Sequence, residues 1–537
     1  MTPSEPRTKG PGFAQGRGGM VTSPHPLASE SGARILRDGG NALDAAIGIG
    51  ATIAVVYPHF CGLGGDAVWI VADEEGRKDC FLGIGQAASI LPGFDGGIPL
   101  RGPPSALTSA CAVDAWRHAH DYSVRNWGGG LSFSSLLDDA IGHAADGFPV
   151  TKSQSFWLDF RKSEVADWPG FREVFMPGGI APQVGTTFRQ QELAASLQLI
   201  ARDGPRSFYE GELGARIAKG LLAAGSPLIS ADLAATRTRQ SEPASLLYRG
   251  VELLAPPPPT QGISTLAIMG ILSHFDMKQL TSGGADHIHL CVEAVKRAFL
   301  DRSLIADPDF ANQPVEDWLS RPRLARSARS IDLERAMDWP QPFRPGDTVF
   351  FGVTDSSGRS VSVLQSTYFD WGSGVVVGDT GILWQNRGAA FSIDPRHPNA
   401  IAPKKRPFYT LNPGLGLKDG RPAYIYGTQG ADGQPQTLST ILTRLIDFGE
   451  EPLVALTGPR FLLGKTFSDS RDSLKLEVNA GDAVFAELAA RGHMLSPIDR
   501  LSPLAGQAGI IARQEDGSLA GAHDPRGDGV ALLVAGT

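Results

Sequence analysis

The chain has 537 residues, 42% of them hydrophobic and 20% charged, which places it in the globular range with length for two ordinary domains or one large layered core. Its formal charge of −8 is modest and its Lys and Arg residues are scattered, so no basic stripe points to nucleic acid and the expected partner is a small molecule. Four cysteines, Cys61, Cys80, Cys111 and Cys291, show no CxxC spacing, which fits buried thiols and gives no disulfide framework or zinc site.

The leader "MTPSEPRTKGPGFAQGRGG" is polar and rich in Gly and Pro, without the apolar stretch of a secretory signal, and the expected compartment is the cytoplasm. The longest apolar run, Ala45 to Tyr57, is too short to span a membrane. "SPHPLASESGARILRDGGNALDAAIGIGATIAVVYP" predicts two helices parted at Gly39-Gly40, with Asp44 in the first turn of the second, where a carboxylate suits the helix dipole. "AVWIVADEEGRKDCFLGIG" predicts a hairpin. Residues 105 to 340 are mostly helical by pattern, interrupted by "APPPPTQG", which must be an extended loop. From Thr348 onward short strands dominate, in "TVFFGVTD", "SVSVLQSTY", "AYIYGT", "GIIARQED" and "SLAGAHDP", with helices at "TLSTILTRLIDFG" and "GDAVFAELAARGH". A helical first part and a strand-rich second part thus meet near residue 347, an α+β composition.

Most motif candidates fail on their chemistry. "CGLGGD", Cys61 to Asp66, lacks the lysine of a phosphate loop and reads as a tight turn. His287 and His289 in "HIHL" fall on different faces of a helix, and no GxSxG elbow is present. Thr348 stands apart. The segment before it, "DWPQPFRPGD", has no periodicity, while a strand, a "DSSG" turn and a second strand follow it, as expected of a new chain end. A threonine at a free N-terminus can have its hydroxyl activated by its own α-amine, whose pKa lies near neutrality.

Several segments, in order, resemble the γ-glutamyltransferase family of N-terminal nucleophile hydrolases: "GMVTSPHPLASESGARILRDGGNALDAAI", "LLAPPPPTQG", "VEAVKRAFLDRSLIADPDF", "SGVVVGDTGILWQN", "APKKRPFYTLNP" and "GAHDPRGDG". The resemblance implies a four-layer αββα sandwich and a proenzyme that cuts itself between Asp347 and Thr348. The products would be a large subunit, 1–347, and a small one, 348–537, held as a heterodimer or a dimer of heterodimers. It also implies Thr348 as nucleophile, Ser366 as the hydroxyl supporting it, and Gly430 and Ala431 as the oxyanion loop, with no metal or cofactor.

The substrate contacts depart from the family pattern. Ile84 stands at the position of the arginine that clamps the γ-glutamyl carboxylate, and Tyr368 and Ala390 replace the residues that hold its α-amine. Arg387 replaces a glutamine, and Tyr409 and Thr410 replace a serine pair. Arg387 is either a fork for a substrate carboxylate or a structural arginine at the surface or paired with Asp379. The expected activity is hydrolysis of a small acidic amide, of oxamate or glutaryl type, through an acyl-enzyme. The alternatives are a γ-glutamyl transpeptidase or glutathione hydrolase, and an inactive homologue, which gains weight from Val349, Phe350 and Gly352 at positions that are polar in the family.

Overall fold

The computed structural model describes residues 12–339, 348–465 and 471–535. Two seven-stranded sheets form its centre. One runs in the order Phe13–Gly16, Leu519–His523, Ala508–Arg513, Arg421–Thr428, Gly414–Lys418, Val251–Ala255, Ala244–Tyr248; every neighbouring pair is antiparallel. The other runs Val530–Ala535, Gly18–Ser23, Val349–Thr354, Ser360–Ser366, Asp66–Ala72, Lys78–Gly83, Arg239–Ser241, again antiparallel throughout.

The alternation of each strand sorts its side chains into two cores. Val68, Ile70, Phe350 and Leu364 of the second sheet meet Leu415, Ile425 and Ile511 of the first in a core between the sheets. On its other face the second sheet presents Trp69, Phe351 and Val353 to the helices Pro26–Arg37 and Ala42–Val56. The Gly262–Leu272 and Ala285–Phe299 helices cover the outer face of the first sheet. Helix, sheet, sheet and helix layers make the αββα sandwich.

The helix pair and the first hairpin form as their sequences predict. Asn41 caps Ala42–Val56 in a capping box with Asp44, and every residue of that helix is buried, which is why its sequence is apolar all round. The hairpin joins Asp66–Ala72 to Lys78–Gly83. The stretch read as mostly helical also supplies three strands, Arg239–Ser241, Ala244–Tyr248 and Val251–Ala255. A tight turn made by Arg249 and Gly250, both at positive φ, folds the last two together.

Helical and strand-rich parts do not segregate either. Both sheets interleave strands from before residue 340 with strands from after residue 347. The "DPRGDG" segment is structural: Asp524 pairs with Arg460 at 2.6 Å and Arg526 at 3.1 Å, and Arg526 with Glu477 at 2.5 Å, all fully buried. Burial alone would raise the Asp524 carboxyl, but Arg460 and Arg526 together hold it below its usual range. All four cysteines are buried free thiols. Among the described residues no helix is long and apolar enough to cross a membrane.

Candidate active site

Thr348 immediately precedes the Val349–Thr354 strand, in which Val349 pairs with Gln365. Carrying that register back one residue sets Thr348 opposite Ser366, and Ser366 is itself paired with Asp66 on the next strand. Thr348, Ser366 and Asp66 therefore form a row across one end of the second sheet. Asp347 lies outside the described residues. The Thr348 side chain is buried and its Oγ1 makes no hydrogen bond, an unusual state for an interior hydroxyl.

Ser366 Oγ accepts the backbone N–H of Tyr368 at 2.7 Å. Tyr368 sits at φ 84°, in the left-handed region that a side chain with a Cβ rarely adopts. Its ring centroid lies 3.8 Å from the Arg387 guanidinium carbon, and that of the Tyr409 ring lies 4.1 Å from it. Arg387 is 1% exposed. Its Nη1 donates to Thr410 Oγ1 at a long 3.4 Å, and its Nε has no partner. Asp379, the alternative partner raised by the sequence, pairs with Arg216 instead. Arg387 is thus not a surface arginine, and among the described residues it forms no ion pair; it is a buried cation close to two tyrosine rings.

The glycine-rich turn serves backbone packing and delivers Asp66. A Cβ on Gly65 would lie 2.3 Å from the Ser366 carbonyl oxygen, and one on Gly64 would lie 2.3 Å from that of Leu383. Asp66 is fully buried. Its Oδ1 accepts the N–H groups of Gly85 (3.0 Å) and Cys111 (2.8 Å), while Tyr409 donates its hydroxyl to Oδ2. Burial pushes the Asp66 carboxyl up to about 6, against the lowering effect of the Tyr409 hydroxyl and the Arg387 charge.

Gly430 and Ala431, at φ 116° and 42°, lead into the helix Gln434–Ile446. They are fastened by Gln261, whose Nε2 donates to the carbonyls of both Ala431 and Thr410 at 2.7 Å. Gln261 Oε1 in turn accepts from Arg302 Nε (3.1 Å) and Nη2 (2.9 Å), and Arg302 also pairs with Asp432. One amide side chain, placed by the loop after the proline run, thereby ties together the loops carrying Thr410 and Ala431.

A family model for gamma-glutamyltranspeptidase matches residues 28–534. The chain belongs to the gamma-glutamyltranspeptidase family. An oxamate amidohydrolase proenzyme of Klebsiella pneumoniae is 44% identical over 519 residues, covering 96% of this chain and 98% of the relative. A glutathione hydrolase-like proenzyme of Bacillus subtilis is 40% identical over 524 residues, covering 96% and 98%. The crystal structure of a cephalosporin acylase from Bacillus halodurans superposes with a TM-score of 0.90 at 32% identity, over 99% of both chains.

Within this gamma-glutamyltranspeptidase frame the departures from the family pattern acquire physical places. Ile84 packs in the core between the sheets, and Ala390 packs against Tyr368 and Phe369. Phe350 also lies in that core, where Gly427 and Gly509 leave room for its ring, and a Cβ on Gly352 would meet Ile425 at 2.9 Å. Val349, Phe350 and Gly352 are therefore packing positions, and their apolar character does not count against catalysis.

Asp66, Gln261 and Arg302 were not predicted from the sequence. For Asp66 the available signal was a carboxylate closing a glycine turn at the head of an apolar strand. Among the described residues one group, His289, Glu293 and His493, has the spacing to hold a metal. Its lone pairs are in use: His289 binds His493 and the Asp332 carbonyl, and Glu293 is held by Lys296 and Arg297. His287 points elsewhere, to Gly283 N–H and Thr443.

Two substitutions probe the support of the site. Ser366→Ala removes the hydroxyl that accepts the buried Tyr368 N–H, at a cost of about 0.5–1.5 kcal/mol, and turnover is expected to fall roughly tenfold with slower processing. Wild-type turnover and processing would reduce Ser366 to strand packing. Gln261→Ala strips the donor from two carbonyls and is expected to lower kcat about tenfold while KM changes less, the outcome for an Ala431 N–H that binds an oxyanion. Steady-state kinetics reads this directly; an effect confined to KM would assign Gln261 to substrate binding alone.

Proposed function

We propose that this chain is a self-processing N-terminal threonine amidohydrolase acting on a small acidic amide. Cleavage ahead of Thr348 frees its α-amine, which takes the hydroxyl proton as Oγ1 attacks the amide carbonyl. The N–H groups of Gly430 and Ala431 receive the oxyanion, the amine leaves with the proton, and water resolves the acyl-enzyme by the same route. The amidohydrolase, acylase and glutathione hydrolase relatives support a reaction at an amide bond.

The observation that carries the substrate class is Arg387. A guanidinium that is 1% exposed, lies 3.8 and 4.1 Å from the Tyr368 and Tyr409 ring centroids and is joined by no salt bridge among the described residues suits the carboxylate of a substrate. Its Nε, which has no partner, is the donor a carboxylate would take. The γ-glutamyl alternative is disfavoured by the same pocket. An α-ammonium needs an acid, and Asp66 already accepts three hydrogen bonds. The test compares kcat/KM for oxamate and a glutaryl amide with that for glutathione and a γ-glutamyl anilide; a preference for either glutamyl compound overturns the proposal.

A further inference from the structure

Asp66 carries none of the steps above, yet it lies in the row that ends at Thr348. Its two oxygens accept two backbone N–H groups and a tyrosine hydroxyl, the environment of an ionised carboxylate. Tyr409, which it holds, has its ring centroid 4.1 Å from the Arg387 guanidinium carbon. Asp66 and Arg387 feel each other's charge without forming a salt bridge, so Tyr409 lies between one positive and one negative buried group.

Hydrolysis changes the charge of what that pocket contains. Water adds across the amide: the C–N bond breaks, a C–O bond forms, and the nitrogen departs with a proton as ammonia or an amine. The acyl part, which entered with one carboxylate, leaves with two. We propose that Asp66 is a specificity-determining residue that uses this change, letting the pocket hold a singly charged acid amide and expel the doubly charged diacid formed from it.

This rests on Arg387 as the partner of the substrate carboxylate. Arg387 serves the first carboxylate equally in substrate and product. The second appears at Thr348, two strands from Asp66, or about 10 Å at the usual strand spacing. Across a dry interior two like charges at that distance repel enough to change binding roughly tenfold. An uncharged residue holding Tyr409 could position the ring but could not tell amide from acid.

The experiment compares two pairs of ligands, oxamate with oxalate and glutaramate with glutarate, as substrates or inhibitors of the processed enzyme. For the wild type the diacid is expected to bind at least tenfold more weakly than its amide. Asp66→Asn, which keeps the shape and removes the charge, should narrow that ratio about tenfold by tightening the diacid. Tyr409→Phe, which keeps the charge, should weaken both members and leave the ratio standing. An unchanged ratio in Asp66→Asn overturns the inference. Unchanged binding in Arg387→Ala overturns the carboxylate site beneath it, and the two failures are distinct.

Should Asp66→Asn not fold, pH supplies the same test on the wild type. Facing Asp66 are Arg387, Tyr409, Cys111 and, along the row, the Thr348 amine; behind Cys111, Asp114 is paired with Arg117 and Arg206. Burial keeps the Tyr409 hydroxyl and the Cys111 thiol un-ionised, and the amine is largely protonated by pH 7. Of these groups only Asp66 changes charge between pH 7 and 5, and oxamate and oxalate stay ionised there, so the ratio for that pair should narrow as pH falls through about 6. A ratio that is flat across that range overturns the inference.

Discussion

Thr348→Ala is expected to yield a single uncut chain with no measurable amide hydrolysis. The same hydroxyl would perform both the N→O acyl shift that breaks the 347–348 bond and the later attack on substrate, so its loss is absolute, not graded. The Thr348 Oγ1 is buried without a hydrogen bond, so an alanine there creates no unsatisfied partner and little strain. Folding should therefore survive, with a melting temperature close to wild type. Denaturing electrophoresis and N-terminal sequencing of the smaller fragment decide the matter. Two chains from the alanine variant would mean cleavage by an outside protease, and the self-processing mechanism would fall. Thr348→Ser keeps a hydroxyl and should retain part of both functions.

The second large effect concerns Arg387. Arg387→Ala removes a charge-assisted fork worth about 1.5–3 kcal/mol, which corresponds to a fall in kcat/KM for the acidic amide of roughly 10- to 150-fold. A carboxylate held there as proposed would be bound alike in ground and transition states, so the loss should reside mainly in KM. The Tyr368 and Tyr409 rings would also lose the cation they contact, and Arg387→Lys should not rescue it, because an ammonium lacks the planar fork that matches a carboxylate's two oxygens. Full activity in Arg387→Lys would show that a point charge suffices and that the planar fork is incidental.

How much of this was legible beforehand depended on the range of the interaction. Asn41, Asp44 and the apolar run after them specify a capped, fully buried helix through contacts within a few residues, and the sequence reads accordingly. The strands after Thr348 announce themselves by alternation and turn residues. The 239–255 strands were hidden because their short apolar runs lie among helices, and only the Arg249-Gly250 turn marks them.

Within the site, Thr348 and Ser366 could be named from motif order, but the surroundings of Arg387 could not. Tyr409 reaches Asp66 across 343 positions of sequence, and Gln261 reaches Ala431 across 170. No local pattern records such contacts. The interleaving of the two sheets was equally invisible, since strand order is fixed by pairing between segments hundreds of residues apart.

That interleaving changes what a cut ahead of Thr348 would mean. The Val349–Thr354 strand is flanked by Gly18–Ser23 on one side and, beyond Ser360–Ser366, by Asp66–Ala72 on the other. Severing the backbone there detaches nothing, because each fragment is laced into both sheets of the other. What it removes is the tether. An uncut chain that unfolds carries all its strands along and can fold again at any dilution. A cut one scatters into two polypeptides that must first find each other, and the effective concentration the tether once supplied is gone. Maturation would thus make the folded state a place the protein leaves only once, with its lifetime set by the rate of unfolding and no longer by an equilibrium.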